Sequence, residues 1–133
     1  MAGREPAGGV VTRWLVDASN VIGSRPDGWW RDRDGATRRL LERLDELARR
    51  EPVTVVLDAG DPLLTRREGP LEVVIASRPG RDAADDEIVR ILSADPDPAA
   101  WQVVTSDAEL ARRVRALGAG VEGAGGFRSR LDR

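Results

Sequence analysis

Arg13-Trp14-Leu15-Val16-Asp17-Ala18-Ser19-Asn20-Val21-Ile22-Gly23-Ser24 sets a pattern that recurs along the sequence. An apolar run, Trp14 to Val16, is cut off by a carboxylate, two small residues and an amide, and Gly23-Ser24 signals a turn. A short apolar run closed in this way reads as a buried strand ending in a loop. In open α/β sheets, ligands bind beyond the carboxyl ends of the strands. Asp17 and Asn20 are therefore expected at a functional edge.

The pattern repeats outward from this stretch. A polar loop with a Pro26-Asp27-Gly28 turn precedes Ala36, Leu40, Leu41, Leu44, Leu47 and Ala48, which recur at helical spacing. That spacing predicts an amphipathic helix capped by Asp34 and stopped before Pro52. Val53–Asp58 and Leu71–Ala76 read as the second and third strands. Ala84, Ile88, Ile91 and Leu92 form a helical stripe with Asp82, Asp85 and Asp86 in its opening turns, and Asp95-Pro96-Asp97-Pro98 ends it. Trp101–Thr105 is a fourth strand stopped by Ser106-Asp107. Leu110, Val114 and Leu117 mark a helix closed by Gly118, and Val121-Glu122 can form a short fifth strand. The Gly- and Arg-rich end after Gly123 carries no firm pattern. Nearly all-apolar strands alternating with helices argue for a parallel sheet covered on both faces. The expected organisation is a flexible tail over residues 1–12 and one domain over residues 13–133.

Composition removes whole classes of chemistry. The 133 residues include no cysteine and no histidine, which excludes disulfides, thiolate or imidazole metal ligands, and His-based triads. All 21 basic residues are arginine, so lysine-dependent P-loop and Schiff-base chemistry is excluded as well. Carboxylates, amides, hydroxyls and any ion they hold remain. The net charge of −2 gives no global basic field, so a polyanion would need local arginine clusters. No apolar run approaches membrane-spanning length, and the expected location is cytoplasmic, with no membrane association.

Asp17 follows the first strand, Asp107 follows the fourth, and Asp85 opens the helix entered from the third. Carboxylates after parallel strands face one edge of the sheet; crowded together, they raise one another's pKa unless a cation neutralises them. Oxygen-only donors of this kind suit Mg²⁺ or Mn²⁺, and the reaction such an ion best serves is phosphodiester hydrolysis. The amide of Asn20 can orient a coordinated water or donate to a phosphate, with Thr105 and Ser106 supplying hydroxyl contacts. Taken singly, Asp85 and Asp107 are explained as well by a helix dipole and an N-cap. Asp17 is harder to explain structurally, because no helix for it to cap is evident.

The segments Leu15-Val16-Asp17-Ala18-Ser19-Asn20-Val21-Ile22, Ala84-Asp85-Asp86-Glu87-Ile88 and Val103-Val104-Thr105-Ser106-Asp107 resemble the NYN-domain family of PIN-like ribonucleases, within its YacP-like branch. The resemblance runs from Trp14 to the end of the chain. It implies a three-layer α/β fold with a five-stranded parallel sheet in order 3-2-1-4-5 and helices on both faces, which sets Asp17 beside Asp107 at the topological switch point. It further implies Mg²⁺ or Mn²⁺ as cofactor and RNA as substrate. Position by position, Asp17, Asp85 and Asp107 match the acidic metal site, and Asn20 matches the amide that follows the first Asp. A fourth acid common in PIN-like sites has no clear counterpart. Glu109 lies on a different turn of its helix.

The expected function is thus a metal-dependent endoribonuclease with catalytic Asp17, Asn20, Asp85 and Asp107. Substrate contacts are expected from Asn20, Ser24, Arg25, Arg78, Arg81, Thr105 and Ser106, and the Trp29-Trp30 pair offers faces for unpaired bases. The alternative is an RNA- or ribosome-associated binding module whose acidic site is vestigial. Three related chemistries fit less well. Val21 stands where an adhesion-type metal site needs a second serine. Ser19 stands where a haloacid-dehalogenase-like phosphatase needs a second Asp. A receiver domain built on Asp58 needs a lysine.

Overall fold

A computed structural model describes residues 12–77, 80 and 82–132. The expected tail, apart from residue 12, and the candidate contacts Arg78 and Arg81 lie outside the described residues. The strands are β1 (Arg13–Asp17), β2 (Val53–Leu57), β3 (Leu71–Ile75), β4 (Trp101–Val104) and β5 (Gly120–Glu122). They form one parallel sheet in the order β3-β2-β1-β4-β5. The helices are α1 (Ala18–Ile22), α2 (Arg33–Ala48), α3 (Ala83–Ala94), α4 (Ala108–Ala116) and α5 (Ala124–Leu131).

The period-2 alternation of strand side chains sorts the core into two layers. Trp14 and Val16 of β1, with Val55, Leu57 and Val104, face α1, α2 and α5, where Leu40, Leu44 and Phe127 meet them. Leu15 of β1, with Val56 and Val103, faces α3 and α4, where Ile88, Leu92, Leu110 and Val114 close the second layer. Every residue of β2 is buried, as a central parallel strand covered on both faces requires. Val16 is in register with Val55 on one side and Val104 on the other, so the ends of β1, β2 and β4 lie level.

Three local features differ from the expectation, each with a physical cause. The chain does not loop after β1 but turns at once into α1, so Asp17 occupies an N-cap position. The cap of α2 is Asp32, which accepts the Gly35 N–H at 3.0 Å, while Asp34 sits in the first turn, where a carboxylate also favours the helix dipole. The Gly- and Arg-rich end is the helix α5. Ala124, Phe127 and Leu131 fall at i, i+3 and i+7, and Phe127 is fully buried with its ring 5.3 Å from that of Trp14. Burial of this one aromatic outweighs the poor helix propensity of Gly125 and Gly126.

Phe127→Ala is therefore expected to cost about 3–5 kcal/mol of stability, as large-to-small changes in a packed core do. Urea denaturation followed by tryptophan fluorescence measures it; a loss below about 1 kcal/mol would show that α5 is not an integral part of the core.

Candidate active site

The alternation that buries Leu15 also carries Asp17 to the α3/α4 side of the sheet. Thr105 arrives on the same side from the end of β4, two residues beyond Val103. The two meet there. Asp17 is only 2% exposed and Thr105 1%. The Thr105 hydroxyl donates to Asp17 Oδ2 at 3.2 Å, and Asn20 Nδ2 donates to the same oxygen at 2.7 Å. This orientation explains why Asp17, although placed to cap α1, makes no side-chain capping bond.

Asn20 is held at both ends of its amide. Its Nδ2 goes to Asp17, while its Oδ1 accepts the Ser106 N–H at 3.0 Å. Ser106 Oγ in turn accepts the Ala124 N–H at 2.9 Å, at the start of α5. Asn20 and Ser106 thus cross-brace the ends of β1 and β4, and Ser106 contributes a backbone donor and a hydroxyl acceptor to that brace.

The three acids of the sequence reading share one electrostatic neighbourhood. Burial pushes the Asp17 carboxyl up from 3.8 to about 6, the Asp85 charge adds to this, and the Thr105 and Asn20 hydrogen bonds oppose it. Asp85, half-buried in the first turn of α3, is also raised, by desolvation first and then by Asp107, Asp82 and Asp86, against the pull of Arg113. Among the described residues no arginine pairs with Asp17 or Asp85. Asp107 is partly committed elsewhere: it caps α4 by accepting the Leu110 N–H at 3.0 Å, and its own N–H donates to Thr105 Oγ1 at 3.1 Å.

Convergence stops short of a closed cage. Among the described residues, no group of three or more acidic side chains stands close enough together to enclose a metal ion. The hydrogen bonds of Asp17 and the capping role of Asp107 fix where those two side chains can go. The donor set still fits a hard divalent ion. It is oxygen-only and acidic, no described arginine pairs with Asp17 or Asp85, and Mg²⁺ is commonly held by one or two carboxylates while keeping several waters. It does not fit an ion caged entirely by protein.

The remaining candidates lie outside this cluster. Arg25 is drawn to the other end of α5, donating to Asp132 Oδ2 at 2.7 Å and to Ser129 Oγ at 3.0 Å. Ser24 Oγ donates to the Val21 carbonyl at 2.6 Å and so closes α1. Trp29 and Trp30 meet edge to face, with centroids 5.8 Å apart. Trp30 is 47% exposed, with the Arg31 guanidinium over its ring, while Trp29 is half-buried under Arg33. Glu109, exposed in the first turn of α4, pairs with Arg112. In the sequence Arg128 is one of a basic pair with Arg130, and what could not be read there is that its guanidinium donates to the Ile22 carbonyl at 3.0 Å. No motif signals it, because its role depends on where α5 packs.

No family model and no curated protein matches the chain. Its likeness lies in solved structures. The chain has the fold of Rae1 (YacP) from Bacillus subtilis. Two crystal structures of that protein, one of a point mutant, superpose on it with a TM-score of 0.71 at 22% sequence identity. The mutant match covers 91% of this chain and 75% of the other, and the second match covers 90% and 72%. The NYN/PIN-like sheet order implied by the motifs is thus the observed one. Among the described residues, no helix is long and apolar enough to cross a membrane.

The shift at Asp17 has a sign that can be tested. In the metal-free protein, folding favours the protonated carboxyl. This group's stabilising contribution is therefore complete below 3.8 and is lost as pH rises through about 6. The full span is about 3 kcal/mol. Asp17→Asn removes the dependence, so the variant should gain on the wild type between about pH 4 and about pH 7.5 by an amount of that order. Paired urea denaturation curves at the two pH values, in chelator, measure it. An unchanging difference would contradict the buried, uncompensated state of Asp17.

Proposed function

We propose that the chain is a divalent-metal-dependent ribonuclease, cutting RNA endonucleolytically at the edge where β1 and β4 end. The observation that carries this reading is Asp17: a buried carboxylate at the end of the central strand, raised toward neutrality, beside Asp85, with only uncharged hydrogen-bond donors. A group of that kind is costly unless something positive comes to it. The resemblance of the three acidic motifs to PIN-like ribonucleases supplies the substrate class, and the shared fold with Rae1 (YacP) supports it.

On this reading Asp17, Asp85 and Asp107 hold Mg²⁺ or Mn²⁺. Bound there, the ion supplies Lewis acidity toward a phosphodiester oxygen. The protein's own groups do the rest. Asn20 fixes the Asp17 carboxylate through its amide, and Thr105 donates to the same oxygen, so both keep Asp17 aimed and ionised. Ser106 holds Asn20 from the other side. Arg25, Arg78, Arg81 and Ser24 are the proposed contacts to the RNA backbone, where a guanidinium pairs bidentately with phosphate. Association with the ribosome belongs to the same proposal.

Asp17→Asn should leave the far-UV circular dichroism intact and lower Mn²⁺-supported cleavage of a single-stranded oligoribonucleotide about a hundredfold or more, in line with the several kcal/mol a positioned ion supplies. Full retained activity would rule out the assignment. One observation favours the second reading, a binding module with a vestigial site: no three acids close on one point among the described residues. Calorimetric titration with Mn²⁺ separates the two. A saturable heat that disappears in Asp17→Asn belongs to the nuclease, and no saturable heat in the wild type belongs to the binding module.

A further inference from the structure

The helix α1 carries Asn20 and has only 5 residues. Helices this short do not hold themselves together in water, and their last carbonyls have no partners within the helix. A basic residue in the last turn is the usual remedy, and α1 has none. The cation comes instead from the far end of the chain. Arg128 Nη1, on α5, donates to the Ile22 carbonyl at 3.0 Å and to the Val21 carbonyl at 3.4 Å. Its Nη2 pairs with Asp27 in the loop that follows α1 and holds that carboxyl below its ordinary range. One planar guanidinium therefore ties the end of α1, the following loop and α5 together, and an ammonium could not span the three.

The start of α5 grips the same residue from the opposite side, because the Ala124 N–H binds Ser106 and the Ser106 N–H binds Asn20. Among the described residues, α5 makes no hydrogen bond to Asp17, Asp85 or Asp107. It reaches Asp17 through Ser106 and Asn20.

We infer that Arg128 is a positioning residue of this site: by holding the carbonyl end of α1 it sets the amide of Asn20, and through that amide the carboxylate of Asp17. The inference rests on the reading of Asp17 and Asn20 as catalytic machinery. Small displacements of such groups cost large factors in rate while leaving remote substrate contacts untouched.

The test uses a property of the sequence. Asn20 and Gln102 are its only side-chain amides, so a ¹⁵N-correlation spectrum of the metal-free protein contains two side-chain NH₂ pairs. A Gln102→Glu variant identifies which is which, and the Gln102 pair, on β4, serves as the internal control. In Arg128→Met the Asn20 pair should shift or broaden while the Gln102 pair stays. The kcat for a single-stranded oligoribonucleotide with Mn²⁺ should fall about tenfold or more, with KM within about twofold of wild type. An unmoved Asn20 pair, or a wild-type kcat, overturns the proposal. So does a loss confined to KM. Should Arg128→Met fail to fold, Arg128→Lys decides by the same two readouts. A displaced Asn20 pair with lowered kcat supports the proposal, and a wild-type pair or wild-type kcat overturns it. Failure of the nuclease reading is seen separately, as a wild type inactive with either ion; the amide pair alone then decides whether Arg128 holds Asn20.

Discussion

Asp17 stands where three requirements meet. The end of β1 must be buried, because β1 is the middle strand of a sheet covered on both faces. The side chain there must point toward α3 and α4, because Leu15 two residues earlier does. The residue is nonetheless a carboxylate. Apolar packing fixes the position and buries the charge, and no arginine among the described residues pairs with it. Everything near it can be understood as a partial remedy. Thr105 and Asn20 place two neutral donors on one oxygen, Ser106 steadies Asn20, and α5 steadies Ser106. None of these donors carries a formal charge, so the remedy remains incomplete and the carboxyl stays raised.

The layers of the fold were legible because they obey simple periodicities. Trp14-Leu15-Val16 and Val53–Leu57 are apolar on both faces, which only a doubly covered strand tolerates. Leu40, Leu44, Ile88, Leu92, Leu110 and Val114 fall on helical stripes and are buried. The meeting of Asp17 with Thr105 and Asn20 was also within reach of the sequence, since it follows from strand alternation and from the adjacency of β1 and β4. What could not be read was anything decided by packing between distant elements. The helix α5 contains two adjacent glycines, which argue against a helix locally, and it exists because Phe127 fills the layer above Trp14. The turn into α1 was hidden for the same reason: its carbonyl end is completed by Arg128, more than a hundred residues away in sequence.

Arginine shows a second limit of sequence reading. Basic residues close together in the sequence suggest a polyanion surface, yet Arg128 is tied to Asp27 and to the carbonyl end of α1. Arg66 is tied to Asp45 in the same way. Among the described residues, more than half of the arginines lie in an ion pair with a carboxylate. Local charge in the sequence therefore overstates the charge presented to a ligand. Asp17 and Asp85 have no arginine partner among the described residues.

That contrast bears on how the acidic cluster should be understood. In a chain this rich in arginine, none of the described guanidiniums pairs with Asp17. A paired, hydrogen-bonded carboxylate there would be held well below neutrality and would cost less to bury. The observed arrangement instead leaves negative charge unbalanced at the end of the central strand, at an expense to the metal-free fold that grows with pH. Local violations of this kind concentrate at sites that do chemistry, because a site that already contained its own cation would have little to offer an incoming one. The Asp85 charge adds to the rise at Asp17, and the Asp107 charge to the rise at Asp85, so these acids repel one another and favour a cation between them. On the proposed reading, the same repulsion is the driving force for drawing one in.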